Sequence, residues 1–227
     1  MEVLDCWYKE VCQDECSTLC LRYTEMKFLM ENSNLPKSKQ KPITLYANED
    51  DLDAYMRLDN IRKNIVDFVH SGKHLYITGQ YPGNGKTSWA IKLMHKYFDQ
   101  IWYGNGLNIR ALFISVPMFL LNCKNFDNKS LEFEELKQNI MKVDLVIWDD
   151  IGSTKLSGYD YSQLFSYVDY RFLAEKTNIY TGNLSTYDAL VNSVGDKLAS
   201  RIWQGSNEII ELVGKDHRQN DSSSNNK

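Results

Sequence analysis

Residues 79–87 of this 227-residue chain read Gly79-Gln-Tyr-Pro-Gly83-Asn84-Gly85-Lys86-Thr87, followed by Ser88. These residue types in this order suit a chain of phosphates. Glycines let backbone N–H groups close around phosphate oxygens, a lysine reaches the terminal phosphates, and a Ser/Thr hydroxyl holds Mg2+. The G-x-x-x-x-G-K-[ST] spacing puts its first glycine at position 80, where this chain has Gln80; Gly79 stands one place early. Entry to the loop is therefore altered, while the phosphate-facing half from Gly83 to Ser88 is intact. ATP with Mg2+ is the expected ligand. A second acidic signal follows, Leu145-Val-Ile-Trp148 running into Asp149-Asp150. Carboxylates at the end of a buried strand beside a phosphate loop suit the handling of Mg2+ and the attacking water. Asp149 is expected to hold Mg2+ through its water shell and Asp150 to polarise the water. Asn183, after Thr181-Gly182, is placed to bond the γ-phosphate or orient water. Arg201 and Arg218 are the candidate guanidinium groups for neutralising charge that develops during phosphoryl transfer.

A second chemistry-bearing group lies at the start. Cys6, Cys12, Cys16 and Cys20 are four of the five cysteines, all within the first 20 residues, and Cys123 stands apart. Clustered thiols without a spread of cysteines through the body suit metal or redox chemistry better than a disulfide framework. On one straight helix Cys12 and Cys20 are ~12 Å apart along the axis, too far to share a zinc with Zn–S bonds of ~2.3 Å. A four-thiolate Zn2+ site therefore requires a break in the segment. An iron–sulfur cluster and a buried cysteine stripe on a helix are the alternatives. Cys123, after Phe119-Leu120-Leu121, reads as core.

The elements that must position these groups follow from periodicity. Residues 21–30 carry Leu21, Met26, Phe28, Leu29 and Met30 on a helical pattern, and Asn32–Pro42 (NSNLPKSKQKP) reads as a linker or surface loop. A helix is expected from Asn48 to about Ser71. Strands are expected at His74–Thr78, Ala111–Val116, Asp144–Trp148, Asn178–Thr181 and Glu208–Leu212, with helices at Lys86–Trp102, Leu131–Met141 and Tyr159–Glu175. That alternation predicts an α/β fold with a five-stranded, mainly parallel sheet between helices. The predicted organisation is a cysteine-rich module and linker at 1–42, a nucleotide-binding domain at 43–218 and a disordered tail at 219–227.

Composition narrows the partners. There are 26 Lys and Arg against 30 Asp and Glu, a net charge of −4. A wholly electrostatic nucleic-acid binder would be basic, so any such contact must be local. Phe119, Phe126 and Phe133 could stack on bases, but their apolar neighbours mark them more readily as core. The most apolar stretch, Ala111–Leu121, is far short of the ~20 residues that span a bilayer. The acidic start lacks the basic leader of a signal peptide. No membrane association and a cytoplasmic location are expected, in a bacterium or in the host of a phage.

The motifs PGNGKTSWA, DLVIWDDIG, TGN and DKLASRIWQGSNEIIEL…GKDHR, in that order, resemble the DnaC/IstB-like AAA+ ATPases, especially phage-type replicative helicase loaders. The resemblance covers roughly Leu75–Arg218. It implies Walker A roles for Lys86 and Thr87, Walker B roles for Asp149 and Asp150, and a sensor role for Asn183. Arg201 falls where the family carries an arginine finger acting in trans, and Arg218 where it carries a sensor arginine acting in cis. Asp150 stands where many AAA+ proteins have Glu, which points to slow hydrolysis. The implied function is ATP-dependent loading of a hexameric replicative helicase onto single-stranded DNA. The N-terminal module would contact the helicase, and copies would self-associate through the AAA+ domain. The alternatives are a transposition-helper ATPase, a small-molecule P-loop kinase and a non-hydrolysing adaptor; no Arg-rich lid segment favours the kinase.

Overall fold

The structure, a computed structural model, describes residues 6–8, 12, 19–41, 43–45, 49–124 and 130–214. Its centre is a five-stranded sheet: β1 (Leu75–Thr78), β2 (Ala111–Ser115), β3 (Leu145–Asp149), β4 (Thr177–Gly182) and β5 (Glu208–Glu211). The order across the sheet is β2-β3-β4-β1-β5 and every pairing is parallel. A parallel sheet needs helices on both faces, which is why its strands read as nearly unbroken apolar runs. β1, β3 and β4 sit together in the middle, so their C-terminal ends, where the glycine loop and Asp149 lie, converge.

Each strand divides its side chains between two cores with a period of two. Leu75, Ile77, Phe113, Leu145, Ile147 and Ile179 face α2 (Leu52–Lys63), α3 (Ile65–His70) and α4 (Lys86–Ile101). Tyr76, Leu112, Ile114, Val146, Trp148 and Tyr180 face α5 (Val116–Lys124), α6 (Leu131–Lys142), α7 (Gly158–Leu173), α8 (Tyr187–Val194) and α9 (Asp196–Ala199). Phe119 belongs to this second core, with Phe133 and Cys123 packed against it. Phe126 lies outside the described residues.

Several elements differ from expectation. The helix expected from Asn48 is interrupted: a 3-10 turn (Glu49–Asp51) precedes α2, and a break at Asn64 separates α2 from α3. Asn48 itself is outside the described residues. Val116 opens α5 rather than ending β2; Pro117, near the start of α5, needs no N–H there, so the apolar run can turn helical at once. Residues 32–41 hold more structure than a solvated loop. Ser33 and Leu35 are buried. Phe113 N–H donates to the Ser33 carbonyl at 2.8 Å and Asn34 Nδ2 donates to the Phe113 carbonyl at 2.9 Å. The segment thus pairs with the free edge of β2.

The helix before it, α1 (Leu21–Glu31), buries Met26, Leu29 and Met30 in the first core. Arg22 lies 3.3 Å from the centre of the Tyr8 ring and pairs with Asp99 of α4 at 2.8 Å. Among the described residues no helix is long and apolar enough to cross a membrane.

Candidate functional site

The loop between β1 and α4 is shaped by backbone that only glycine adopts cheaply. Gly85, at φ 98°, turns the chain into α4, and no side chain caps that helix. The N–H groups of its first turn, with the positive end of a 16-residue helix, therefore face the loop as an anion seat. Gly79 explains the displaced glycine of the motif. A Cβ there would sit 2.1 Å from the Leu212 carbonyl oxygen and 2.5 Å from Asn84 Nδ2. Glycine is needed where the loop crosses the end of β5, one place before the standard position, and Gln80 is exposed.

Lys86 is buried inside this loop. Its ammonium donates to the Gly79 carbonyl at 2.8 Å, the Tyr81 carbonyl at 2.9 Å and Asn84 Oδ1 at 2.8 Å. Asn84 in turn donates from Nδ2 to the Leu212 carbonyl at 2.7 Å. Neutral acceptors from the loop's own backbone and from Asn84 thus hold the ammonium inside the loop. Gly83 and Ser88 lie in the same loop and first turn, half-buried.

Asp149 closes the site from β3. Its Oδ1 accepts from Thr87 Oγ1 and from Thr181 Oγ1, both at 2.7 Å. Thr181 Oγ1 also accepts from the Asp150 N–H at 3.0 Å. One hydroxyl of β4 therefore positions both members of the acidic pair. Burial raises the Asp149 carboxyl above its ordinary value, and the two hydroxyl donations pull the other way. Asp150 sits at φ 63°, in the left-handed region. Asn183 is exposed just past β4 and, among the described residues, its side chain makes no hydrogen bond.

Arg201 lies in a π-helix (Ser200–Gln204) and packs on α7. Its Nε donates to Asp169 Oδ1 at 2.7 Å, and its guanidinium carbon lies 4.7 Å from the centre of the Phe172 ring. Phe172 stacks on His74, just before β1. The glycine loop follows the other end of β1, four residues or ~13 Å away. Arg201 is therefore remote from its own chain's loop. Arg218 lies outside the described residues.

Two residues whose chemistry was not legible tie the site together. Thr181 is one. Asp51 is the other: buried, it accepts from Val213 N–H at 2.7 Å and Gly214 N–H at 3.1 Å. With Asn84 on Leu212, this strings the segment after β5 between the glycine loop and α2. A cleft of about 390 Å³ lined by Asp53, Arg57, Thr78, Trp203, Glu211 and Val213 opens beside the loop rather than at Lys86.

Cys6 and Cys20 are half-buried, Cys12 is exposed and Cys16 is outside the described residues. Among the described residues no three His, Cys, Asp or Glu side chains gather as a metal site.

A parallel β2-β3-β4-β1-β5 sheet with a glycine loop after β1 and an acidic pair after β3 has the arrangement of the AAA+ P-loop fold. No protein-family profile matches the chain. It is 25% identical over 191 residues to the replicative helicase loader DnaC of Buchnera aphidicola subsp. Baizongia pistaciae (strain Bp), across 82% of this chain and 67% of that protein. A crystal structure of the DnaC helicase loader superposes with a TM-score of 0.62 at 21% identity, covering 81% of this chain and 98% of the other. AMPPCP-bound DnaA from Aquifex aeolicus gives 0.57 at 19%, covering 82% and 50%. The resemblance to DnaC-type AAA+ proteins carried by the motifs is borne out.

Proposed function

We propose that this chain is an ATP-dependent loader of a replicative helicase onto single-stranded DNA. The observation that carries the nucleotide part is the Thr87–Asp149–Thr181 bridge beside the Lys86 cradle; the DnaC likeness carries the helicase part. The loop fits a triphosphate because the Lys86 ammonium is held within the glycine loop and the first turn of α4 has no side-chain cap. Gly83, Asn84, Gly85, Lys86, Thr87 and Ser88 would hold the phosphates, and Thr87 with Asp149 would hold Mg2+. Bound Mg2+ supplies neutralisation of phosphate charge.

Asp150 would accept the proton side of an attacking water, and Asn183 would orient it. Arg201, packed toward the end of β1 opposite the loop, would act on a neighbouring copy, and Arg218 on its own chain's nucleotide. Self-association would then make turnover depend on assembly. The N-terminal segment would contact a hexameric helicase.

A nucleotide-binding assay with Lys86→Ala tests the site: affinity should fall at least tenfold in a folded protein, and unchanged affinity overturns the assignment. A pull-down with the tagged chain tests the partner, and absence of a hexameric helicase overturns the loader reading. A four-cysteine zinc site is a separate proposal resting on the clustering of Cys6, Cys12, Cys16 and Cys20. Elemental analysis should find about one zinc per chain, and folded, metal-free protein removes it.

A further inference from the structure

Two arginines, Arg171 on α7 and Arg201 on the π-helix packed against it, are used in opposite ways. Arg171 is fully buried and gives five hydrogen bonds to Asn178 Oδ1 and the carbonyls of Ile140, Val143, Asp144 and Thr177. Arg201 spends one donor. Its Nε bonds Asp169, its face lies on Phe172, and its four terminal N–H donors bond nothing among the described residues. A third of its side chain is exposed. A guanidinium held by its inner nitrogen and one face is fixed in direction, while the fork that pairs with phosphate oxygens stays open.

The backbone supports the same arrangement. Arg201 sits in a π-helix, whose wide turn is closed by the Gly205 N–H donating to the Ser200 carbonyl at 3.0 Å. π-turns cost helix stability and concentrate at functional sites. Ile202 is buried in the second core and Trp203 meets the Tyr76 ring edge-on at 5.8 Å, so the turn cannot rotate freely. Gly205 lets it approach α7: a Cβ there would be 2.7 Å from Phe172 Cε2.

We infer that Asp169 and Phe172 are positioning residues that aim the open fork of Arg201 at an anion presented by a second copy of this chain. The inference deepens the proposed function and rests on it, since the anion is the nucleotide phosphate of the neighbour. Aiming in advance removes the ordering cost of a long side chain at the moment of reaction, and misplacement by ~1 Å can cost about 10²-fold. Asp169 and Phe172 touch neither nucleotide nor Mg2+ in this scheme, so they act through Arg201 alone.

The experiment is ATP turnover by the full chain at assembling concentration, with ATP affinity and Tm measured alongside. Asp169→Asn keeps the size but removes the charge, and should lower kcat ~10- to 100-fold with ATP affinity and Tm little changed. In an Arg201→Ala background the same change should have no further effect. Donor mixing adds the direction. Lys86→Ala chains should restore turnover to Asp169→Asn chains, and Lys86→Ala/Asp169→Asn chains should not. Full activity of Asp169→Asn beside an inactive Arg201→Ala overturns the inference and spares the nucleotide reading. Higher activity of Asp169→Asn also overturns it, because Asp169 then restrains Arg201 instead of aiming it. Full activity of Arg201→Ala, or unchanged ATP affinity in Lys86→Ala, overturns the underlying reading instead.

Discussion

Asp150 carries two properties that substitution can separate. It offers a carboxylate at the end of β3, and it holds a left-handed backbone at φ 63°. Such a conformation costs a non-glycine residue ~1 kcal/mol or more. Asp150→Gly and Asp150→Ala both lose the carboxylate and should be equally inactive. The glycine variant should be the more stable by ~1 kcal/mol, less the added freedom of its unfolded chain. Urea denaturation of the pair measures this, and equal stability would show that φ here is unstrained. Thr181→Val removes the hydroxyl shared by Asp149 and the Asp150 N–H. It should lower turnover at least tenfold with Tm reduced by only a few degrees, checked by an ATPase assay and a melt. Lys86, Thr87 and Asp149 were legible because a phosphate loop needs fixed residue types at fixed spacing. Thr181 was not, since threonine in a strand is ordinary and its partner lies 32 residues away. Asn84 and Asp51 were visible as a loop residue and a helix-start acid, but their attachment to the chain after β5 depends on how distant segments close.

At the level of elements, α7 is tied to the sheet by Arg171. Its five acceptors include four backbone carbonyls at the ends of α6, β3 and β4. Burial lowers the guanidinium to about 9, with the nearby Tyr180 and Asp144 pulling the other way. Arg171→Met leaves the acceptors buried and unpaired, at ~1–3 kcal/mol each. The variant should lose more than ~3 kcal/mol in chemical denaturation or fail to accumulate as folded protein. The strands were readable from apolar runs ending in acids or glycine. The break at Asn64 was not, because the apolar spacing of α2 continues into α3 without a proline or glycine to mark it. Likewise the switch from β2 into α5 falls inside one apolar run, where periodicity alone does not separate strand from helix.

For the molecule as a whole, acidity should be felt through the histidines. Burial, with Arg171 nearby, holds His74 down from 6.5 to about 4, and burial does the same to His95. Both are neutral when folded and take a proton more readily when unfolded. Their contribution to stability is therefore present above about pH 6.5 and lost as pH falls toward about 4. Melting temperature should drop steadily from pH 6.5 to 5, and His74→Gln, which keeps an acceptor for the Asn178 N–H, should flatten that slope. Removal of residues 1–42 tests the packing of the N-terminal segment. It strips Met26, Leu29, Met30 and Leu35 from the first core and unpairs Phe113. The truncated chain should melt well below the full one and be less soluble, read by a melt and by light scattering. That covered edge has a further consequence. Ser33 and Asn34 occupy the outer side of β2, while at the opposite rim Arg57 pairs with Glu208 and donates to the Ile209 carbonyl. Strand-to-strand zippering between copies is thus blocked at these points on both rims. Subunits of any assembly must meet through side-chain faces, which can slide, hinge and part without tearing a hydrogen-bonded ladder.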